Sequence, residues 1–224
     1  RDYYASRGLG DVYKRQGMME CKKALVEADG DMDKAVDFLR ERGLAAAAKK
    51  ATRIAAEGVV LPYYDAEAKK GVVVEVNSET DFVAKNEKFM SFVEGVAKTI
   101  LATNPADVEA LKEEKFDGTD RTVTETLNDL VLSIGENMKV RRFERMDGIV
   151  STYIHGGGSV GVMVGFDVAD ESKAATAEFD AMGKNVAMQI AAMSPAYLDE
   201  ASVPAEVVAV SYTHLRAHET RSNL

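Results

Sequence analysis

The sequence has little of what several classes of protein require. Cysteine occurs once, as Cys21, so no disulfide can form within the chain, which suits a reducing compartment. No apolar run is long enough to cross a bilayer. The formal net charge of −9 argues against a large phosphate-binding surface. These absences favour a protein partner over nucleic acid or a membrane.

Side chains with catalytic or metal-binding chemistry are also sparse. The only histidines are His155, His214 and His218, and no cluster has metal-ligand spacing. No nucleophile lies in a recognisable arrangement with a base. The glycines after His155 suggest a phosphate-binding loop, but the lysine and the following helix of that motif are missing, so we expect a hairpin turn. The sequence therefore disfavours an enzyme or a metabolite-binding domain and implies no cofactor and no metal.

The two ends of the chain are related at the level of DNA. Residues 11–16 can be encoded by GATGTGTATAAGAGACAG, and the reverse complement, read one frame over, encodes the VSYTH of residues 210–214. Such an inverted pair is typical of a sequencing adapter translated on both sides of a gene fragment. We therefore expect residues 1–16 and 210–224 to be adapter-derived, and we exclude them from the fold. The natural segment would then lack both of its own termini.

Residues 17–43 have the pattern of a small helical module. Cys21 and Leu25 lie at helical spacing on one face of the first predicted helix, so Cys21 is expected in the core rather than as a reactive thiol. We expect the second helix to end at Gly43. Residues 44–56 are rich in alanine, which favours helix intrinsically, and are predicted to form a separate helical linker.

The remainder of the natural segment contains an internal repeat. Residues 57–105 align without a gap on residues 147–195, and each copy is predicted to form strand, turn, strand and helix. The first copy continues with a capped helix and a returning strand, whereas no equivalent of these follows the second copy. We therefore expect an α+β fold with two related halves and antiparallel sheets, residues 57–146 and residues 147–209, of which the second is incomplete.

Four short motifs point to a known family. They are GMMECKKAL at residues 17–25, NSETDFVAK at residues 77–85, IGEN at residues 134–137 followed by two arginines, and YIHG at residues 153–156. Together they resemble the elongation factor Ts family, and the resemblance covers residues 17–209. It implies a ubiquitin-associated-like helical head followed by two related α/β half-domains. The first helix of the head and the C-terminal part of the second half are expected to be missing.

The resemblance also implies a function. A member of this family would bind elongation factor Tu in its GDP form and promote GDP release by disturbing the Mg²⁺ and phosphate site. It would act in the cytoplasm as a translation elongation factor, a guanine nucleotide exchange factor without a catalytic site of its own. A rival interpretation is a protein-interaction module with a ubiquitin-associated-like head and no exchange activity. Whether the chain is a monomer or a homodimer stays open.

The segment of Thr80, Asp81, Phe82 and Val83 lies between a predicted strand and a predicted helix. From the residues alone, the commoner explanation is a capping threonine followed by an inward phenylalanine that anchors the helix. However, the repeat copy has DESK at residues 170–173, without an aromatic, so the scaffold does not require one. The resemblance implies instead that the segment inserts into the nucleotide domain of elongation factor Tu, with Phe82 as a wedge and Asp81 as its polar companion.

Three further residues are candidates for partner contact on the basis of the resemblance. Met18 and Met19 would help to dock the head on elongation factor Tu, although from the residues alone Met18 fits the buried stripe and both would be core residues. His155 would touch the partner from its turn.

Overall fold

The computed structural model describes residues 18–208, so both predicted adapter segments lie outside the described residues. The elements in chain order are α1 (Met18–Glu27), α2 (Met32–Lys50), β1 (Glu57–Asp65), β2 (Lys70–Ser78), α3 (Asp81–Ala84), α4 (Glu87–Thr103), α5 (Val108–Glu113), α6 (Val123–Ile134), β3 (Met138–Asp147), β4 (Ile149–His155), β5 (Val160–Phe166), α7 (Glu171–Ala174), α8 (Ala177–Met193) and a 3-10 turn (Glu200–Ser202). Within the described range, no helix is long and apolar enough to cross a membrane.

The fold is α+β with two antiparallel sheets, as expected. One sheet has the order β1–β2–β3, and the other consists of β4 and β5. Glycines let the two sheets approach closely. A Cβ at Gly161 would lie 2.6 Å from Cγ1 of Val60, and a Cβ at Gly71 would lie 2.8 Å from Sδ of Met163. The bulky side chains of each sheet therefore occupy the space that the glycines of the other sheet leave free.

The two copies of the repeat form matching elements, but the side chains of their long helices are not buried equally. Helices α4 and α8 each have 17 residues, and each ends at a residue with left-handed backbone, Asn104 and Ser194. Phe92 in α4 is 4% exposed, whereas Met182 at the equivalent position in α8 is 40% exposed. Phe92 belongs to the large core cluster, and the Phe116 ring stacks on it with 5.5 Å between ring centroids. Nothing equivalent covers Met182 among residues 18–208.

The head has a small core of its own. Six side chains form it: Cys21, Ala24, Leu25, Ala28, Ala35 and Leu39. The predicted burial of Cys21 is thus confirmed. Asp31 caps α2, accepting hydrogen bonds from the backbone N–H groups of Asp33 at 3.0 Å and Lys34 at 3.2 Å.

Helix α2 corrects the predicted boundary between head and linker. We expected a helix ending at Gly43 and a separate linker over residues 44–56, but α2 continues to Lys50. One glycine costs a helix only about 1 kcal/mol, and the alanines that follow offset it. The glycine is explained by packing, because a Cβ at Gly43 would lie 2.5 Å from Cδ1 of Leu132 in α6. Gly43 thus marks where α2 meets the core.

A β-bulge brings two arginines to one carboxylate. The register of β2 and β3 shifts after Glu75, so that Arg141 is an extra residue beside Arg142. Glu75 accepts hydrogen bonds from Arg141 at 2.9 Å and from Arg142 at 2.7 Å. Partial burial alone raises the pKa of the Glu75 carboxyl, but hydrogen bonds donated by Arg142, Asn77 and Arg141 outweigh it and hold the pKa below its ordinary value.

Replacing Glu75 with Gln is expected to lower the free energy of unfolding by roughly 0.5–1 kcal/mol at neutral pH. Because the pKa is lowered in the folded state, the carboxylate stabilises the fold above about pH 4.5, its ordinary pKa, and this contribution is lost as the pH falls further. Glu75→Gln should therefore flatten the acid side of the stability profile, measured by urea unfolding at a series of pH values. Glu144→Gln, at an exposed position on β3, is the matched control and should keep the parent slope. A parent-like slope in Glu75→Gln would contradict the assignment.

Candidate partner-binding site

The candidate site begins where the β2–β3 ladder ends. Backbone pairing stops at Ser78, and side chains then join the two segments. A carboxylate oxygen of Glu79 accepts the backbone N–H of Asn137. In the opposite direction, the Glu136 carboxylate accepts the backbone N–H of Thr80 at 3.0 Å. The hydroxyl of Thr80 lies 2.9 and 3.1 Å from the two carboxylate oxygens of Glu136 and donates to them. Glu79 and Glu136 are together called the carboxylate clasp.

The clasp also holds the segment that follows α2. Asn137 is buried, and its amide donates a hydrogen bond of 2.7 Å to the backbone oxygen of Arg53. The Arg53 guanidinium lies 3.6 Å from the Glu79 carboxylate. The chain entering β1, the end of β2 and the start of β3 are therefore tied at one point, and a cation partly balances the acidic pair.

Helix α3 presents Phe82 to solvent and Val83 to the core. Phe82 is 81% exposed, whereas Val83 is 5% exposed. The explanation by a capping threonine and an inward phenylalanine is therefore wrong. Thr80 occupies the N-cap position, but its side chain makes no capping hydrogen bond, because its hydroxyl is directed to Glu136.

Asp81 lies beside Phe82 on the exposed side of α3. Its carboxylate accepts a hydrogen bond of 2.9 Å from Lys85, one helical turn later. This hydrogen bond and the charge of Lys85 hold the pKa of the Asp81 carboxyl below its ordinary value, so the group is ionised at neutral pH. The site therefore offers an apolar ring next to an anionic group.

The second repeat copy builds the equivalent helix differently. Helix α7 starts after Asp170, whose carboxylate accepts the backbone N–H of Ser172 at 3.1 Å in an ordinary cap. Ser172 occupies the position of Phe82. The outward aromatic and its cross-strand support are thus features of the first copy, and the short helix forms without them.

His155 lies at the same end of the first sheet as the clasp. The glycines at 156–158 all have positive φ, and they form the expected hairpin turn. The backbone oxygen of Gly158 accepts the N–H of Val60 at 2.7 Å, near the start of β1, which pairs with the end of β2. The His155 ring is exposed, and its Nδ1 lies 3.1 Å from the Tyr153 hydroxyl.

The two candidate methionines belong to the head. Met19 is exposed on α1, and the side chain of Met18 lies outside what the structure describes. Helix α1 packs on α2, and α2 packs on α6. The structure therefore places Met19 on a patch of the head, separate from Phe82 and the clasp.

Sequence reasoning missed the residues that orient α3. Glu79, Glu136 and Asn137 belong to motifs that carried the family resemblance, but no role was predicted for them. The available signal was weak: an acidic residue next to each of two predicted strand ends. Over residues 18–208, no group of three or more His, Cys, Asp and Glu side chains is arranged to hold a metal ion.

The comparison with known families decides the affiliation of the chain. The family described as Elongation factor TS matches residues 79–223, beginning at the clasp. The chain belongs to the elongation factor Ts family. The family match overlaps residues 210–223, so the adapter boundary at residue 210 stays a prediction.

Curated members of the elongation factor Ts family are similar over most of the chain. Elongation factor Ts of Clostridium perfringens is 54% identical over 193 residues, which cover 85% of this chain and 62% of that protein. The Syntrophotalea carbinolica protein is 52% identical over 195 residues, with coverages of 86% and 63%. The Clostridium botulinum protein is 49% identical over 190 residues, with coverages of 84% and 61%. The chain thus spans about three fifths of the length of these relatives.

Unfolding experiments test the opposite orientations of Phe82 and Val83. Val83→Ala is expected to lower the free energy of unfolding by about 1–3 kcal/mol, because it removes buried methyl groups from the core. Phe82→Ala should change it by less than about 0.5 kcal/mol, because its ring contacts mainly solvent. Urea denaturation of both variants beside the parent measures the difference. Equal destabilisation by the two substitutions would mean that the Phe82 ring is buried.

Proposed function

We propose that the chain is a guanine nucleotide exchange factor that binds elongation factor Tu in its GDP form and speeds GDP release. Membership of the elongation factor Ts family supports the partner. The observation that carries the proposal is the exposed Phe82 on a helix whose other face is anchored in the core. Full burial of such a ring in a partner would contribute about 1.5–3 kcal/mol, which the free chain leaves unused.

The proposed mechanism is displacement of the Mg²⁺ site of the partner by the Phe82 wedge. Mg²⁺ requires near-octahedral coordination at about 2.0–2.1 Å, so a small displacement of the partner's backbone weakens its binding. Loss of the ion then leaves the GDP phosphates without their counter-charge. Asp81 is the polar companion of the wedge, and in the complex it would exchange Lys85 for a donor of the partner.

Such coupling has to be reciprocal. If binding of the chain lowers the affinity of elongation factor Tu for GDP, then GDP lowers the affinity of elongation factor Tu for the chain by the same factor. Nucleotide that rebinds the partner therefore releases the chain. A permanent complex would contradict the role of an exchange factor that acts repeatedly.

The remaining contacts are proposed by family affiliation. Met18 and Met19 would dock the head, and His155 would touch the partner from the end of the sheet where the clasp lies. We propose that α1 and α2 contribute to a ubiquitin-associated-like head and that residues 147–209 are an incomplete second half. The proposed exchange takes place in the cytoplasm and needs no cofactor of the chain's own.

Release of fluorescent GDP from purified elongation factor Tu tests the proposal. The full chain should accelerate release, and Phe82→Ala should reduce that acceleration roughly 10- to 100-fold, because the wedge no longer contributes its burial energy. Leu198→Ala removes another exposed apolar side chain and is the control that should exchange at the parent rate.

Two results would count against the proposal in different ways. If the chain is folded by circular dichroism but does not accelerate GDP release, the proposed exchange activity is wrong for this chain. If Phe82→Ala accelerates GDP release as the parent does, the exchange function stands and the assignment of Phe82 as the wedge is wrong. Binding of ubiquitin in the absence of exchange would favour the rival function of an interaction module, for which the separate core of the head is the supporting observation.

A further inference from the structure

We infer that Glu136 is a positioning residue for the Phe82 wedge, an inference that rests on the proposed exchange function. Glu136 lies in the loop between α6 and β3, remote in sequence from α3. Its carboxylate receives both donors of Thr80, the backbone N–H and the hydroxyl. Thr80 is the residue from which α3 starts, so Glu136 acts on the wedge through Thr80.

The orientation of α3 depends on such outside support. A helix of four residues has no cooperative stability of its own, so its direction is set by contacts with the rest of the molecule. Those contacts include hydrogen bonds to the backbone N–H and to the backbone oxygen of Thr80. The Ser78 hydroxyl donates to its backbone oxygen at 2.9 Å, and Glu136 accepts from its N–H at 3.0 Å. Val83 anchors the opposite face in the core.

The second repeat copy indicates that this support is not a general need of the scaffold. In α7 the residue equivalent to Thr80 is Asp170, which caps its own helix locally through Ser172. That helix carries no outward aromatic. In the first copy the Thr80 hydroxyl does not cap its own helix and instead donates a hydrogen bond to the Glu136 carboxylate. The short helix of the second copy therefore forms without such a cross-strand bond, and the bond is found in the copy that carries Phe82.

Positioning and affinity are expected to separate in the kinetics. A rigidly held wedge converts contact with the partner into displacement of the Mg²⁺ site, whereas a loosely held ring spends part of its binding energy on becoming ordered. Loosening Thr80 should therefore lower the rate of GDP release from the saturated complex. The concentration for half-saturation should change much less, because the rest of the interface is intact.

The test is GDP release from elongation factor Tu at increasing concentrations of the full chain and of Glu136→Gln. Glutamine keeps the shape of the side chain but removes its charge, so the hydrogen bonds that Thr80 donates are no longer charge-assisted. The maximal release rate should fall roughly 10-fold, because each hydrogen bond loses the part of its strength that the negative charge contributes. The half-saturating concentration should change less than about threefold, because the rest of the interface is retained.

A pair of variants at Thr80 provides the conservative control. Thr80→Val keeps the shape and removes the hydroxyl, and it should reduce the maximal rate in the same direction. Thr80→Ser keeps the hydroxyl and should lose less of the maximal rate than Thr80→Val. This pair also carries the test if Glu136→Gln does not fold.

A double-mutant cycle with Phe82→Ala separates positioning from a merely structural role. Glu136→Gln should cause little further loss of exchange in the Phe82→Ala background, because there is no longer a ring to position. An equal loss in both backgrounds, or a parent-like maximal rate in Glu136→Gln, would overturn the inference while exchange by the parent chain still stands. If the parent chain itself does not speed GDP release, the proposed function and this inference fall together.

Discussion

The candidate site depends on two carboxylates that continue the β2–β3 sheet after its backbone hydrogen bonds end. Glu79 reaches across to the backbone of Asn137, and Glu136 reaches back to Thr80. An acidic pair at this point is compatible with the fold because its oxygens accept backbone and hydroxyl donors and because Arg53 lies beside Glu79. The clasp thereby joins the segment that follows α2, the start of α3 and the closing strand of the first half.

This arrangement makes an exposed aromatic compatible with a stable fold. The free energy that holds α3 comes from Val83 in the core and from the hydrogen bonds of Thr80, so Phe82 need contribute nothing. Its exposure leaves apolar surface in water, which burial against a partner would remove. A ring that anchored its own helix would have to leave the core before it could bind. Because Val83 and Thr80 anchor α3, the Phe82 ring stays available for binding to a partner.

Local patterns predicted those parts of the fold that depend on local physics. Helical spacing found the buried Cys21, and the repeat anticipated equivalent helices that end at Asn104 and Ser194. The orientation of Phe82 could not be predicted in this way, because it depends on Glu136, which is separated from Thr80 by 56 positions in the chain. Gly43 was misjudged for a similar reason, since its role is contact with α6 rather than helix termination. Patterns within one segment carry no information about which distant side chain will meet it.

The two halves contribute unequally to the site. The helix that carries Phe82 and the carboxylate clasp are built entirely by residues that precede β4, and the large buried core lies there as well. The second half adds the turn that carries His155, and it is held against β1 by the hydrogen bond from Val60 to Gly158 and by the close approach at Gly161. Those contacts involve only β4, β5 and the turn between them. The position of this turn against β1 therefore depends on the first hairpin of the second half.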